Sequence, residues 1–208
     1  MDAKTIEIYD ALGAKFSERY RSGKRFSIER VKESFTGCHR VLEIGTGSGI
    51  DCARLLKMGF DMTGLEPSRT FIQEAHTHFP ETKGRINQGS LPLDEKLREQ
   101  WASAFDAVYC CAVFMHIPAE KRPACMSDLA LVLRTKGRVH FTISECRNGL
   151  DEESRDEYGR LYIPLNREDT LALIDSAGFR ILQEWKHGDG GQHSRGLNWV
   201  SYLLEKPA

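Results

Sequence analysis

A strand-like run, Arg40-Val-Leu-Glu-Ile44, passes directly into Gly45-Thr-Gly-Ser-Gly49 and then into a helical stretch, 50–58, that Gly59 closes. No other feature restricts the fold as much. A strand that turns into a helix through glycines is the first half of a parallel βαβ unit, and the glycines let backbone come where a side chain would block it. The pattern then repeats. Residues 61–66 read as a strand, 68–79 as a helix stopped by Pro80, 85–88 as a weak third strand and 105–113 as the most strand-like run. A helix over 119–133 turns Cys125, Leu129, Val132 and Leu133 inward, and 138–143 alternates as a strand. Strand and helix in alternation predict a parallel sheet covered by helices on both faces.

The two ends of the sequence differ from this middle. Ile8, Leu12, Phe16 and Tyr20 recur by about a helical turn and predict an amphipathic helix over 5–20. A second helix over 27–35 has Ser27 as its cap and Ile28, Val31 and Phe35 on its inner face. After residue 146 a helix over 169–176 ends at Gly178, and strands 179–185 and 199–204 flank a glycine-rich loop, 187–196. Strands so joined pair as a hairpin, which puts an antiparallel strand into the sheet. The expected fold is α/β, a doubly wound and mostly parallel sheet of about seven strands with an antiparallel last strand and an N-terminal helical cap. One domain is expected over 1–208, with the cap in 1–36 and the Rossmann-like core in 37–208.

Composition removes several functions. Lysine plus arginine, 29, nearly cancels aspartate plus glutamate, 30, so the basic field of a nucleic-acid binder is missing. The six cysteines, Cys38, Cys52, Cys110, Cys111, Cys125 and Cys146, form no C-x-x-C pair, and neither zinc nor disulfides are expected. Residues 1–16 lack the apolar core of a signal peptide, and no apolar run is long enough to cross a bilayer. A cytoplasmic protein without membrane contact is the expectation.

Glycine turns of this kind serve several nucleotides. A dinucleotide fingerprint wants a small residue where Ile50 stands, and a P-loop wants a lysine that does not follow these glycines. Glu66 ends the second strand about twenty residues on, where a carboxylate can accept from a ribose diol.

At this level the sequence resembles the class I S-adenosylmethionine-dependent methyltransferases. Val41-Leu-Glu-Ile-Gly-Thr-Gly-Ser-Gly49 is similar to their first motif, with its acidic residue two before the first glycine. Gly64-Leu-Glu-Pro-Ser68 resembles the second and Gln88-Gly-Ser-Leu-Pro92 the third, where the family often has Asp in place of Ser90. Residues 105–117 are similar to the fourth, and 131–138 to the next, with Thr135-Lys136 replacing a usual Pro-Gly before Gly137. The likeness runs from about Tyr9 to the end.

The resemblance implies that Glu43 and the loop of Gly45, Thr46, Gly47 and Gly49 hold the amino-acid end and sulfur side of S-adenosyl-L-methionine. It implies Glu66, beside Pro67, on the ribose hydroxyls, Ser90 and Leu91 against the adenine, and Cys111 along the cofactor. A serine hydroxyl at position 90 accepts more weakly than a carboxylate would. Tyr20 and Arg25 would close over the methionine carboxylate, unless the aromatics of the first helix only pack on the core.

S-adenosyl-L-homocysteine would be the product, and the acceptor a small molecule methylated at O or N. Two alternatives stay open: a protein or RNA target, and a catalytically silent protein that binds S-adenosylmethionine. RNA is disfavoured by the neutral charge and by Cys110-Cys-Ala-Val113, which stands where an Asn/Asp-Pro-Pro-Tyr/Phe motif would be. His116 is the candidate general base, or else holds its loop. His187, Asp189 and His193 share a loop that reads as exposed rather than metal-binding. Trp185, Arg195 and Trp199 either shape an acceptor pocket or fill the core, and the charged segment 147–162 is either a substrate-facing insertion or a solvated linker.

Overall fold

The computed structural model describes residues 1–22, 28–187 and 196–208. Among these residues seven strands, β1 (Arg40–Ile44), β2 (Asp61–Glu66), β3 (Ile86–Gln88), β4 (Phe105–Cys111), β5 (Leu133–Cys146), β6 (Arg180–His187) and β7 (Asn198–Glu205), form one sheet in the order β3-β2-β1-β4-β5-β7-β6. The pairs β1–β2, β2–β3, β1–β4 and β4–β5 are parallel, whereas β7 runs antiparallel to both β5 and β6. The doubly wound sheet with an antiparallel last strand is therefore the fold. Because β6 and β7 form the expected hairpin, β7 enters between β5 and β6 and leaves β6 at the edge, with Ile181 and Leu182 exposed.

Among the described residues seven α-helices accompany the sheet: α1 (Ala3–Ser22), α2 (Glu29–Ser34), α3 (Ile50–Lys57), α4 (Arg69–His78), α5 (Glu95–Trp101), α6 (Arg122–Val132) and α7 (Arg167–Ser176). Alternation along the strands divides the core in two. Leu42, Ile44, Val108 and Phe141 pack with Trp101, Leu129 and Ile174 of α5, α6 and α7. Val41, Met62 and Ala107 face the other way, onto Val31 of α2 and Cys52 and Leu55 of α3. The buried strands explain why the sequence shows apolar runs there rather than strict alternation.

Local chemistry sets the helix ends. Ser68 Oγ accepts from Phe71 N at 3.2 Å to start α4, and Asn166 Oδ1 accepts from Asp169 N at 2.8 Å to start α7. Ser27, expected to cap α2, lies outside the described residues. Helix α5 was not expected from sequence. It is short and mostly charged, showing inward only Leu97 and Trp101, yet Asp94 Oδ1 caps it from Leu97 N at 2.8 Å. Strand β5 is longer than the alternation over 138–143 suggested, because its first residue already pairs with Phe105 before a register shift.

Helix α1 docks on α4. Asp10 Oδ1 accepts from Ser68 Oγ at 2.8 Å, and Gly13 lies so close that an added Cβ would stand 2.8 Å from Thr70 Cγ2.

Gly49 is packed in the same way. Its φ is +76°, and a Cβ there would stand 2.6 Å from Ala75 Cβ in α4. Gly49→Ala should therefore destabilise by about 3 kcal/mol, part left-handed strain and part overpacking. Calorimetric unfolding should show a Tm several degrees lower. Gly37→Ala, at φ +81° with open space around its Cβ, should lose only the strain; equal losses in both would remove packing as the cause.

Candidate active site

The turn after β1 is fixed on three sides. Gly45 N–H donates to Leu65 O at 2.8 Å, so the turn hangs on the end of β2. At φ +71°, Gly45 would put a Cβ 2.7 Å from Val113 Cγ2, and Gly49 meets α4 as described. Gly47, at φ +51°, meets nothing within 4 Å on its Cβ side, and its N–H donates to Glu66 Oε2 at 2.8 Å. Ser68 N–H donates to Glu66 Oε1 at 3.0 Å. The carboxylate thus bridges the glycine turn and the start of α4.

A cavity of about 300 Å³ opens at this edge of the sheet. Its wall includes Tyr20, Glu43, Gly45, Thr46, Gly47, Glu66, Pro67, Ser90, Leu91, Cys111 and His116, all singled out in the sequence. Gly49 is not in the wall, because its open side is filled by α4. Arg25 lies outside the described residues. Thr46 Oγ1 and Ser48 Oγ are buried without a hydrogen-bond partner among the described residues. Thr46 sits this deep because its methyl packs where Gly64 has no side chain; a Cβ there would be 2.5 Å from Thr46 Cγ2.

His116 ends a turn of 3-10 helix, Phe114–His116, just after β4. Its Nδ1 is 2.6 Å from Leu161 O and its Nε2 is 3.0 Å from Tyr9 Oη. A carbonyl only accepts, so Nδ1 carries the proton and Nε2 accepts from the Tyr9 hydroxyl. Tyr9 Oη accepts in turn from Arg160 Nη1 at 2.9 Å. Burial, with the Arg160 charge adding to it, brings the His116 pKa down to about 4. The ring is therefore neutral, covered by Tyr9 and a weak base, which counts against proton abstraction by His116 itself. Burial acts in the opposite sense on Glu66, whose carboxyl is pushed up to about 7 against the two backbone donors.

The segment after β5 is not a solvated linker. Arg147, Arg160 and Tyr162 line the cavity, and Leu161 N donates to Thr5 Oγ1 of α1 at 2.8 Å. Sequence reasoning left Tyr9 open between closing over the cofactor and packing on the core, and covered Arg147, Arg160 and Tyr162 only through the substrate-facing alternative for 147–162, without singling any of them out. The available signal was the apolar set Leu161, Tyr162, Ile163 and Leu165, out of place in a solvated stretch. Of the residues around the last loop, Trp199 lines the cavity, whereas Trp185 stacks on His140 at 5.7 Å and is absent from its wall. His187 bonds Ser201 Oγ at 2.7 Å, while Asp189, His193 and Arg195 lie outside the described residues. Among the described residues no cluster of His, Cys, Asp and Glu could hold a metal ion.

Residues 41–137 match a family model described as a methyltransferase domain. The ubiquinone biosynthesis O-methyltransferase of Bordetella avium (strain 197N) is 30% identical over 115 residues, which cover 55% of this chain and 46% of that protein. The glycine N-methyltransferase of Oryctolagus cuniculus is 30% identical over 116 residues, covering 49% of this chain and 39% of its own. The chain thus spans less than half the length of these curated relatives. Among solved structures, the 1,6-didemethyltoxoflavin-N1-methyltransferase of Burkholderia thailandensis, with bound 1,6-didemethyltoxoflavin and S-adenosylhomocysteine, matches with a TM-score of 0.65 at 18% identity, over 100% of this chain and 92% of that one. The [4+2]-cyclase SpnF matches with a TM-score of 0.69 at 16% identity, over 97% and 94%. Likeness at these identities shows the fold.

The buried state of His116 has a consequence for stability. A histidine held at about 4 takes up a proton on unfolding at any pH between 4 and its ordinary 6.5, so folding gains stability as pH rises across that window. The full effect is on the order of 3 kcal/mol. Glu66, raised from 4.5 to about 7, acts oppositely and loses its contribution as pH rises through 7. The informative quantity is therefore the difference between variants. Urea unfolding at several pH values should show a shallower rise in His116→Gln than in the unmodified protein; parallel profiles would mean that His116 is not held neutral.

Proposed function

We propose that the protein is a class I methyltransferase that transfers a methyl group from S-adenosylmethionine to a small-molecule oxygen or nitrogen acceptor, a reading supported by the match of residues 41–137 to a methyltransferase domain. The observation that carries the reading is the bare backbone of Gly47 beside Glu66, with two buried hydroxyls, on Thr46 and Ser48, lacking partners among the described residues. Such a wall suits a ligand rich in hydroxyl, amine and carboxylate groups. In this reading Glu43 and the turn at Gly45, Thr46 and Gly47 hold the amino-acid end, with Tyr20 closing over it. Glu66 accepts from the ribose hydroxyls through the lone pairs its two backbone donors leave open, with Pro67 beside it. Ser90 and Leu91 lie against the adenine, and Cys111 lines the cofactor near the end of β4. Gly49 acts indirectly, by letting the turn seat on α4.

When bound, S-adenosylmethionine supplies an already activated methyl group, so the chain's tasks are alignment and exclusion of water. Tyr9, held between His116 and Arg160, closes one wall, and His116 serves as a positioning residue for it. A cavity covered by α1 and the segment after β5 favours a small acceptor over a macromolecule. No helix among the described residues is long and apolar enough to cross a membrane. Cytoplasmic location and a single domain over 1–208 belong to the same proposal.

Titration calorimetry with S-adenosylmethionine, S-adenosylhomocysteine and NAD tests it. The first two should bind and the third should not; binding of NAD alone, or of none, would overturn the reading. Glu66→Ala should weaken S-adenosylhomocysteine binding about tenfold, roughly 1.4 kcal/mol. Because hydroxyl donors favour the ionised carboxylate, affinity should also tighten as pH rises through about 7, and Glu66→Gln should remove that dependence.

A further inference from the structure

On the far side of β4 from the glycine turn, the cavity wall includes the start of β7, Leu197 just before it, and the segment between β5 and α7. Met115, Tyr162, Leu197 and Trp199 form one apolar cluster there, and two arginines, Arg147 and Arg160, stand in the same wall. The arginines differ in how they are satisfied. Arg160 donates through Nε and Nη2 to Asp156 Oδ2 at 2.9 and 2.5 Å, and through Nη1 to Tyr9 Oη. Asp156 also accepts from Tyr158 N and Arg160 N at 3.0 and 3.1 Å, so its oxygens are largely committed.

Arg147 has less. Its side chain is only 4% exposed, yet Nη2 reaches Asp156 at 3.3 Å and otherwise pairs with Glu157, a side chain 45% exposed to solvent. Its Nε is buried with no hydrogen-bond partner among the described residues. The guanidinium lies 4.5 Å from the centroid of the Tyr162 ring. Two buried guanidinium groups thus share one buried carboxylate, at a wall that is otherwise aromatic and aliphatic. A buried cation that is short of partners favours an anion beside it, and guanidinium matches a carboxylate through two parallel donors.

We propose that the methyl acceptor is a small aromatic carboxylate, its acid group paired with Arg147 and its ring set among Met115, Tyr162, Leu197 and Trp199; a hydroxyl or amine on the ring takes the methyl as the methyl's C–S bond breaks, S-adenosylhomocysteine leaves, and the acceptor's proton passes to water. The proposal rests on the transferase reading above and names the acceptor class for it. Arg147 is then the residue that selects acids over neutral analogues.

The test is calorimetric, on the protein saturated with S-adenosylhomocysteine. Benzoate, salicylate and anthranilate are each titrated beside the corresponding carboxamide. At least one acid should bind about tenfold or more tightly than its amide, and Arg147→Gln should abolish that preference while changing S-adenosylhomocysteine affinity by no more than about twofold. Retained cofactor affinity also shows that the variant is folded, and Arg147→Lys should keep part of the preference. Absence of preference for any acid, including absence of binding by all six compounds, overturns the proposal. So does a loss of S-adenosylhomocysteine affinity in Arg147→Gln, which would assign the guanidinium to the cofactor's own carboxylate. If the unmodified protein fails to bind S-adenosylhomocysteine, the transferase reading falls and the acceptor with it; binding without acid preference removes the acceptor class alone.

Discussion

The carboxylate of Glu66 accepts from Gly47 on one side and Ser68 on the other, and most of the site hangs on that bridge. It joins the turn after β1 to the cap of α4 across the ends of two neighbouring strands. The turn can occupy that place only because Gly45 and Gly49 lack side chains toward Val113 and Ala75. What is left facing the cavity is bare backbone at Gly47. One acidic residue and three glycines therefore create both the shape of the recess and its polarity.

Helix α1 and the segment after β5 complete the enclosure, and they do so together. Tyr9 from the helix stands between Arg160 of the segment and His116 of the β4 turn. Leu161 N donates to Thr5, and Arg155 pairs with Asp2 at 3.2 Å. Neither element would define a wall alone. Asp10, bound to Ser68, connects the same helix back to the glycine turn through the cap of α4.

Burial dominates the electrostatics of this recess. It raises Glu66 and lowers His116, each toward its neutral form, although the two have opposite charge when ionised. Arg147 and Arg160 cannot take that escape, since guanidinium keeps its proton. Their charge has to be met by Asp156, by Glu157 or by something that enters the cavity.

The sequence by itself determined the sheet and most of its helices, though not α5, and pointed to the edge of the sheet where the cavity opens. Apolar runs of strand length and glycine turns are local signals, and β1 and β2 appear where those signals put them. The hairpin that makes β7 antiparallel was legible for the same reason. The cavity residues on β1, β2 and the loops after β3 and β4 were also legible, because they lie within a few residues of the strand ends that the pattern marks. Only tertiary structure decided that His116 is covered by Tyr9, that Gly49 faces α4 rather than the cavity, and that Trp199 and not Trp185 joins the wall. It alone brought Arg147 and Arg160 inside. Some of those outcomes depend on contacts between residues more than a hundred positions apart, such as Tyr9 with His116 and Arg160, and others on which face of a turn or strand meets which helix. No local periodicity carries that information; it exists only once the layers have packed.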